Sequence, residues 1–463
     1  MRLLLLSAAS LLLMVPGFWH FYPPYPSDNE RFGVGLAGDA DSLTRYDVAQ
    51  LNAGWYINWG TALHPPHPSG MEYVQNIRIS GRSYSPAKAT IAEIAAVNPG
   101  SVWLIGNEPD CIWQDNSAPA QYAVIYHDLY TFIKGQDATA KVAIGGVVQG
   151  TPVRIQYLDM VLEEYEDRYG GMIPVDIWNV HGFILREERG GWGCEIPPGL
   201  QSYAYLGRKY EMGDHDDVAI FKEQIVSFRQ WMKERGEQNK PLIISEYGIL
   251  MPPDYGFDHA RVRDFMLATF DFFQGVDPDG ANVDLGYPED EYRLVQAWAW
   301  YSLDDDIYDE DGTWLGEGYN GDLYEGGLSK QLTPLGQDFA DYIVHNSLIT
   351  EYVDLYPGEL SIQPLEPAYG EPVTVNVTAR VANYGNMTAT YPLEVSFWDG
   401  DPADNGTLIE SASTISGVPP RYEGTSLAQI SWQTVATGTQ EVFVEVDSGQ
   451  TVVESREDNN LGS

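Results

Sequence analysis

Residues 101–113 read SVWLIGNEPDCIW. The apolar run Val102–Ile105 stops at Gly106 and is followed at once by Asn107, Glu108 and Pro109. Unbroken apolar character over so few residues fits a parallel strand covered on both faces. Such a strand would end by presenting one glutamate on a backbone pinned by the following proline. Seven other runs have the same character: RFGVGLAG (31–38), AGWYINWG (53–60), VQNIRIS (74–80), KVAIGGVVQ (141–149), VDIWNVHGF (175–183), PLIISEYGI (241–249) and LVQAWAWYS (294–302). Helical patterns fall at 86–100, 118–136, 153–170, 217–237, 259–276 and 333–348. Strands alternating with helices in this way predict an α/β fold, a (β/α)8 TIM barrel. A doubly wound open sheet would need a Gly-rich phosphate turn, and no convincing G-x-G-x-x-G is present.

Composition narrows the function. The chain of 463 residues carries 67 acidic and 26 basic side chains, a formal charge of −41. Such a surface repels phosphate backbones, which excludes nucleic acid as a partner. Aromatic residues make up 13% of the chain, a supply of flat faces suited to sugar rings as well as to cores. The opening MRLLLLSAASLLLMVPG has one early arginine and an apolar stretch too short to span a bilayer. Residues 1–22 therefore read as a signal peptide or N-terminal anchor, and the protein as secreted or attached at the cell surface.

The pattern changes near residue 350. Residues 349–372 read as a linker entering an all-β module assigned to 358–463, and from residue 373 onward apolar and polar positions alternate between Gly, Pro and Asn-Gly turns. This predicts an immunoglobulin-like β-sandwich. Residues 23–350 are left as the larger domain.

In a parallel barrel the chemistry sits at the C-terminal ends of the strands. Glu108 ends the fourth run and Glu246, in SEYG, the seventh. Two carboxylates facing one another across a cleft are the equipment of glycoside hydrolysis. On GNEPD (106–110) and SEYG (245–248), residues 32–348 resemble the clan A retaining glycoside hydrolases. The resemblance implies a (β/α)8 barrel, Glu108 as acid/base, Glu246 as nucleophile, and Asn107 as a hydrogen-bond partner of the sugar 2-hydroxyl. It also implies substrate contacts for His181, at the end of the sixth strand, and for Trp300, as the floor under the cleaved sugar. Trp59, Tyr247 and Asp39 complete the candidates for substrate binding. Proton donation and acceptance by one group require Glu108 to titrate well above a solvated glutamate. Partial burial and the charge of Glu246 are the expected causes.

Cys111 and Cys194 follow the fourth and sixth strands, and in an exported protein they form a disulfide candidate over the cleft. No catalytic metal is expected: His64 and His67, in ALHPPHP, lack further ligands at matching strand ends. The reaction needs no cofactor. The acidic stretch 302–311 leaves calcium open, although its spacing is not that of an EF-hand. Trp314 and Tyr319 in the same loop are candidate sugar contacts. The ending VFVEVDSGQTVVESREDNN resembles the cell-adhesion-related domain CARDB, which implies a spacer or a contact with a cell surface or glycan. The reading is a secreted, endo-acting retaining β-glycosidase with a carbohydrate substrate. Its rival is an inactive glycan-binding or adhesion protein.

Overall fold

The computed structural model describes residues 11–12, 25–308, 314–316, 318–327, 329–346, 349–366, 368–390, 392–435 and 437–463. The expected leader, residues 1–22, lies outside them except for Leu11–Leu12, which run antiparallel beside Leu360 and Glu359. The chain divides into two compact units, residues 21–349 and residues 350–463 with 1–20.

Each of the eight apolar runs supplies a strand of the larger unit. They are β1 (Phe32–Gly35), β2 (Trp55–Ile57), β3 (Gln75–Ser80), β4 (Val102–Ile105), β5 (Lys141–Ile144), β6 (Trp178–Asn179), β7 (Leu242–Tyr247) and β8 (Ala297–Trp300). A short strand, Glu72–Tyr73, pairs with β2, and after Val74 the chain continues as β3. One parallel sheet runs from Glu72–Tyr73 through β2, β1, β8 and β7 to β6. A second holds β3, β4 and β5 in parallel, with Ser83–Ser85 antiparallel on its edge. Parallel bridges Ala143–Ile177 and Val147–Val180 connect the β5 and β6 segments.

Six α-helices appear among the described residues: α1 (Lys88–Val97), α2 (Pro119–Gln136), α3 (Pro152–Tyr169), α4 (Val218–Glu234), α5 (His259–Gln274) and α6 (Pro334–Asn346). Their starts follow local chemistry. Asp217 accepts the N–H groups of Ala219 and Ile220 at α4, and a proline opens α2 and α3. As the absence of helical patterns before residue 86 implies, no α-helix follows β1 or β2 among the described residues. Short 3₁₀ turns at Ala40–Arg45, Val48–Leu51 and Pro68–Gly70 stand there instead. The three prolines of ALHPPHP (62–68) each lack a backbone donor and oppose a helix there.

Side chains alternate between two cores. One side of the strands contributes Trp55, Ile57, Val74, Val102, Leu104, Ala143, Ile177, Ile243, Ala297 and Ala299, which pack together. The other side contributes Phe32, Val34, Trp103, Ile105, Trp178, Ile244, Trp298 and Trp300, which pack with helical residues such as Phe270 and Phe273. On β1 the inner positions are glycines. A Cβ on Gly33 would lie 2.3 Å from the Trp55 ring, and one on Gly35 would lie 2.8 Å from the Trp59 ring. Gly33, Gly35 and Gly38 do have G-x-G-x-x-G spacing, but the first two make room for indoles and a 3₁₀ turn follows.

The C-terminal unit is all-β, with two antiparallel sheets. One orders β9 (Leu355–Gln363), β10 (Pro372–Asn383) and β13 (Ser426–Val435). The other orders β12 (Thr407–Ser413), β11 (Glu394–Asp399), β14 (Val442–Val446) and β15 (Leu461–Gly462). Val377, Val395, Phe397 and Val444 fill the core between them. Strand β9 occupies a stretch that sequence pattern reads mostly as linker, because Pro357 and Gly358 interrupt its alternation.

Candidate active site

Glu108 follows β4 in an unusual backbone state. Its φ is +47°, in the left-handed region that side-chain-bearing residues rarely enter. The strain is held by neighbours. The Glu108 N–H donates to Gly146 O at 3.0 Å, and its own carbonyl accepts the Cys111 N–H at 2.9 Å. Asp115 accepts the N–H groups of Asn107 at 2.6 Å and Ile79 at 3.0 Å, and pairs with Arg78. Two residues after Glu108, the carboxylate of Asp110 meets Arg154 at 2.9 Å, both fully buried. This scaffold answers why a strand should end on a glutamate: the loop is locked so that one carboxylate points inward.

Glu246 reaches the same place by a different device. Ile244 pairs with Trp298 and Tyr247 with Trp300, so Ser245 and Glu246 together stand opposite Ala299 alone. This β-bulge re-aims Glu246. Strict alternation would have left it on the outer side with Ile244 and Trp298.

His181 lies between the two glutamates. Its Nδ1 is 2.9 Å from Glu108 Oε1 and 3.8 Å from Glu246 Oε2. One side-chain polar atom from each of Glu108, His181 and Glu246 falls within 4.8 Å of the other two. His181 Nε2 is buried with no hydrogen-bond partner among the described residues. Gly146 makes room for the ring: a Cβ there would sit 2.5 Å from His181 Cδ2. Gly146→Ala is therefore expected to push His181 off Glu108 and to lower activity at least tenfold with the fold intact. Circular dichroism alongside rates would check this.

Burial pushes the Glu246 carboxyl up to about 7, the charge of Glu108 adds to the rise, and His181 opposes it. Burial alone would lower His181, but the charges of Glu246 and Glu108 outweigh it and raise it. The Trp59 indole N–H approaches Glu246 and favours its ionised form while falling short of hydrogen-bond geometry. Trp59 has a φ of +54° and packs against the inner core beside Gly35. Asn107, next to Glu108 in the chain, is buried.

Two proposed substrate contacts are corrected. Trp300 is wholly buried on the outer side, its indole N–H donating to Gly321 O at 2.8 Å and its ring edge-on to Tyr247 at 5.3 Å. Tyr247 is wholly buried among Phe221, Phe273 and Trp300. Trp300 shares its side of β8 with Trp298 and, just before the strand, Gln296, and that side faces the helices. The residue on the cleft side is Tyr301, whose ring lies 5.4 Å from that of Trp59. Its position after Ala297 and Ala299 in the alternation was the available signal. Asp39 is exposed at the start of a 3₁₀ turn.

The disulfide expected between Cys111 and Cys194 is not formed. Both are free thiols, buried together with Val148 and Phe183. Arg154 Nη2 reaches the Cys194 sulfur at 3.0 Å. Within the acidic stretch, Asp304 and Asp306 converge with Asp322, and Asp304 also pairs with Lys330 and accepts from Tyr46. Residues 309–313 and the Trp314 side chain lie outside the described residues.

Residues 352–463 match the CARDB family model. The C-terminal unit is a CARDB domain. No curated protein matches the chain in sequence. Solved structures similar to it include a glucosidase from Croceicoccus marinus, 11% identical over 90% of this chain and 96% of that one, with a TM-score of 0.44. CelM2, a bifunctional glucanase-xylanase from a metagenome library, is 10% identical over 88% and 96%, TM-score 0.38. Cel44A, an endoglucanase from Clostridium thermocellum, is 12% identical over 84% and 83%, TM-score 0.30. These neighbours are glycoside hydrolases, at TM-scores too low to fix a fold.

Proposed function

We propose that residues 21–349 form a closed (β/α)8 barrel that hydrolyses β-glycosidic bonds by double displacement. The observation carrying this reading is the convergence of Glu108 and Glu246, with carboxylate oxygens within 4.8 Å of each other. So close an approach supports direct attack on the anomeric carbon, since retaining enzymes hold their two carboxyl groups nearer together than inverting ones do. Glu108 protonates the leaving oxygen while Glu246 attacks, giving a glycosyl ester. Glu108 then takes a proton from water as the ester is cleaved. Asn107 holds the sugar 2-hydroxyl, and Trp59 forms part of the sugar's bed. No cofactor is required. The protein acts outside the cell on an oligosaccharide or polysaccharide by endo cleavage, with the CARDB domain as a surface or glycan contact.

The test is a screen of β-glucans, mannan, xylan and galactan with product sizing, on wild type, Glu108→Gln and Glu246→Gln. If wild type and both variants are equally inert yet bind glycan, the glycan-binding alternative holds.

Protonation gives a second reading with roles reversed, because Glu246 is the carboxyl pushed up. The pH profile separates the two. A nucleophilic Glu246 must be ionised, so kcat/KM is expected to rise with pH up to about 7. A Glu246 acid would instead lose activity above about 7. Stability provides a parallel check. A carboxyl raised in the folded state contributes fully below its unfolded pKa, and that contribution is lost as pH climbs through 7. Glu246→Gln is therefore expected to exceed wild type in stability above pH 7 by up to about 3 kcal/mol and to match it in acid. Urea titrations at two pH values would show this.

A further inference from the structure

The cleft aromatics do not end at the carboxylates. Trp59, beside Glu246, lies 5.4 Å from Tyr301, and Tyr301 lies 6.2 Å from Tyr319, which is 55% exposed. These rings form a continuous row from the buried glutamates to solvent. Hydrogen bonds tether the row. Asp305 accepts the Tyr301 hydroxyl at 2.7 Å and the Tyr319 backbone N–H at 3.1 Å. Asn320, next in the chain, donates to the carbonyls of Met251 at 2.9 Å and Phe257 at 2.8 Å, tying this loop to the one after β7. An exposed ring on a fixed backbone loses little freedom when it stacks on a ligand, so its face is available at low entropic cost. On a surface with a net charge of −41, a neutral, hydroxylated ligand is favoured over an anionic one.

We propose that Tyr301 and Tyr319 form a binding track for a neutral saccharide chain that continues beyond the sugar held at Glu108 and Glu246. The substrate is then a chain of several sugars, and Tyr319 contributes to the choice of polymer over terminal unit. This rests on the glycosidase reading for its orientation, but the track can be tested by binding alone.

The experiment measures calorimetric affinity for soluble neutral oligosaccharides of four to six sugars from the β-glucan, mannan and xylan series. It also measures kcat/KM on the best chain and on the matching aryl monoglycoside. Tyr319→Ala is expected to weaken chain binding about tenfold and to lower the chain-to-aryl ratio of kcat/KM by the same factor. Tyr319→Phe, which keeps the ring, should restore both. Tyr205→Ala removes a ring that is 78% exposed and outside the row, and should leave both as in wild type. Chain affinity unaltered by Tyr319→Ala, or no chain bound by wild type, overturns the track. Wild type that binds chains through Tyr319 but cleaves neither substrate keeps the track and overturns the hydrolase.

Discussion

Glu246→Gln is expected to abolish turnover, with kcat/KM falling by 10⁴-fold or more, because under the proposed roles Glu246 is the group that forms the glycosyl ester. Glu108→Gln should be less uniform. General acid–base catalysis is worth about 10²–10⁴-fold, and the loss depends on how much help the leaving group needs. A substrate with a good leaving group, such as a dinitrophenyl glycoside, should be attacked almost normally and then stall at the ester. Natural chains should lose the full factor. Steady-state rates on both substrates, with a burst measurement on the activated one, would show the asymmetry. Equal losses for both variants on both substrates would mean the two glutamates do not hold separate roles.

The largest stability effect is expected at Arg154, which is fully buried. It meets Asp110 at 2.9 Å and Glu187 at 3.0 Å, and donates to the carbonyls of Asp110, Cys194 and Glu195. It thereby ties the loop after Glu108 to the start of α3 and to the loop after β6. Arg154→Met would leave two carboxylates buried and unpaired, a loss of about 3–5 kcal/mol. Burial already pushes Asp110 up to about 6. The variant should therefore fare worse as pH rises through that value, where Asp110 must carry its charge. Lysine would not substitute, lacking the forked donors. Denaturant unfolding at pH 5 and pH 8 checks the claim, and Asp110→Asn in the Arg154→Met background should recover part of the loss. A change below 1 kcal/mol at both pH values would contradict it.

Much of this was legible in the chain, and the gaps have physical causes. Apolar runs marked all eight strands because parallel strands are covered on both faces. Glu108 and Glu246 could be found because each ends such a run. Alternation showed that Trp298 and Trp300 share a side, but not which side. That was decided by small residues, since Ala297 and Ala299 fit the crowded interior and the indoles do not. Periodicity alone would have turned Glu246 outward, and the bulge at Ser245–Glu246 leaves no trace in composition. Arg154 escaped notice because its partners lie 33 to 44 positions away. The thiols were read correctly as neighbours in space, but their loops enclose them as an apolar pair beside a guanidinium.

The most direct test is covalent trapping. A panel of 2-deoxy-2-fluoro β-glycosides bearing activated leaving groups would be incubated with wild type and the labelled peptide identified by mass spectrometry. Double displacement with the assigned roles predicts one sugar per chain, esterified to Glu246. Attachment to Glu108 would reverse the roles. Turnover of the matching natural glycoside with inverted product and no label on either glutamate would contradict the mechanism itself.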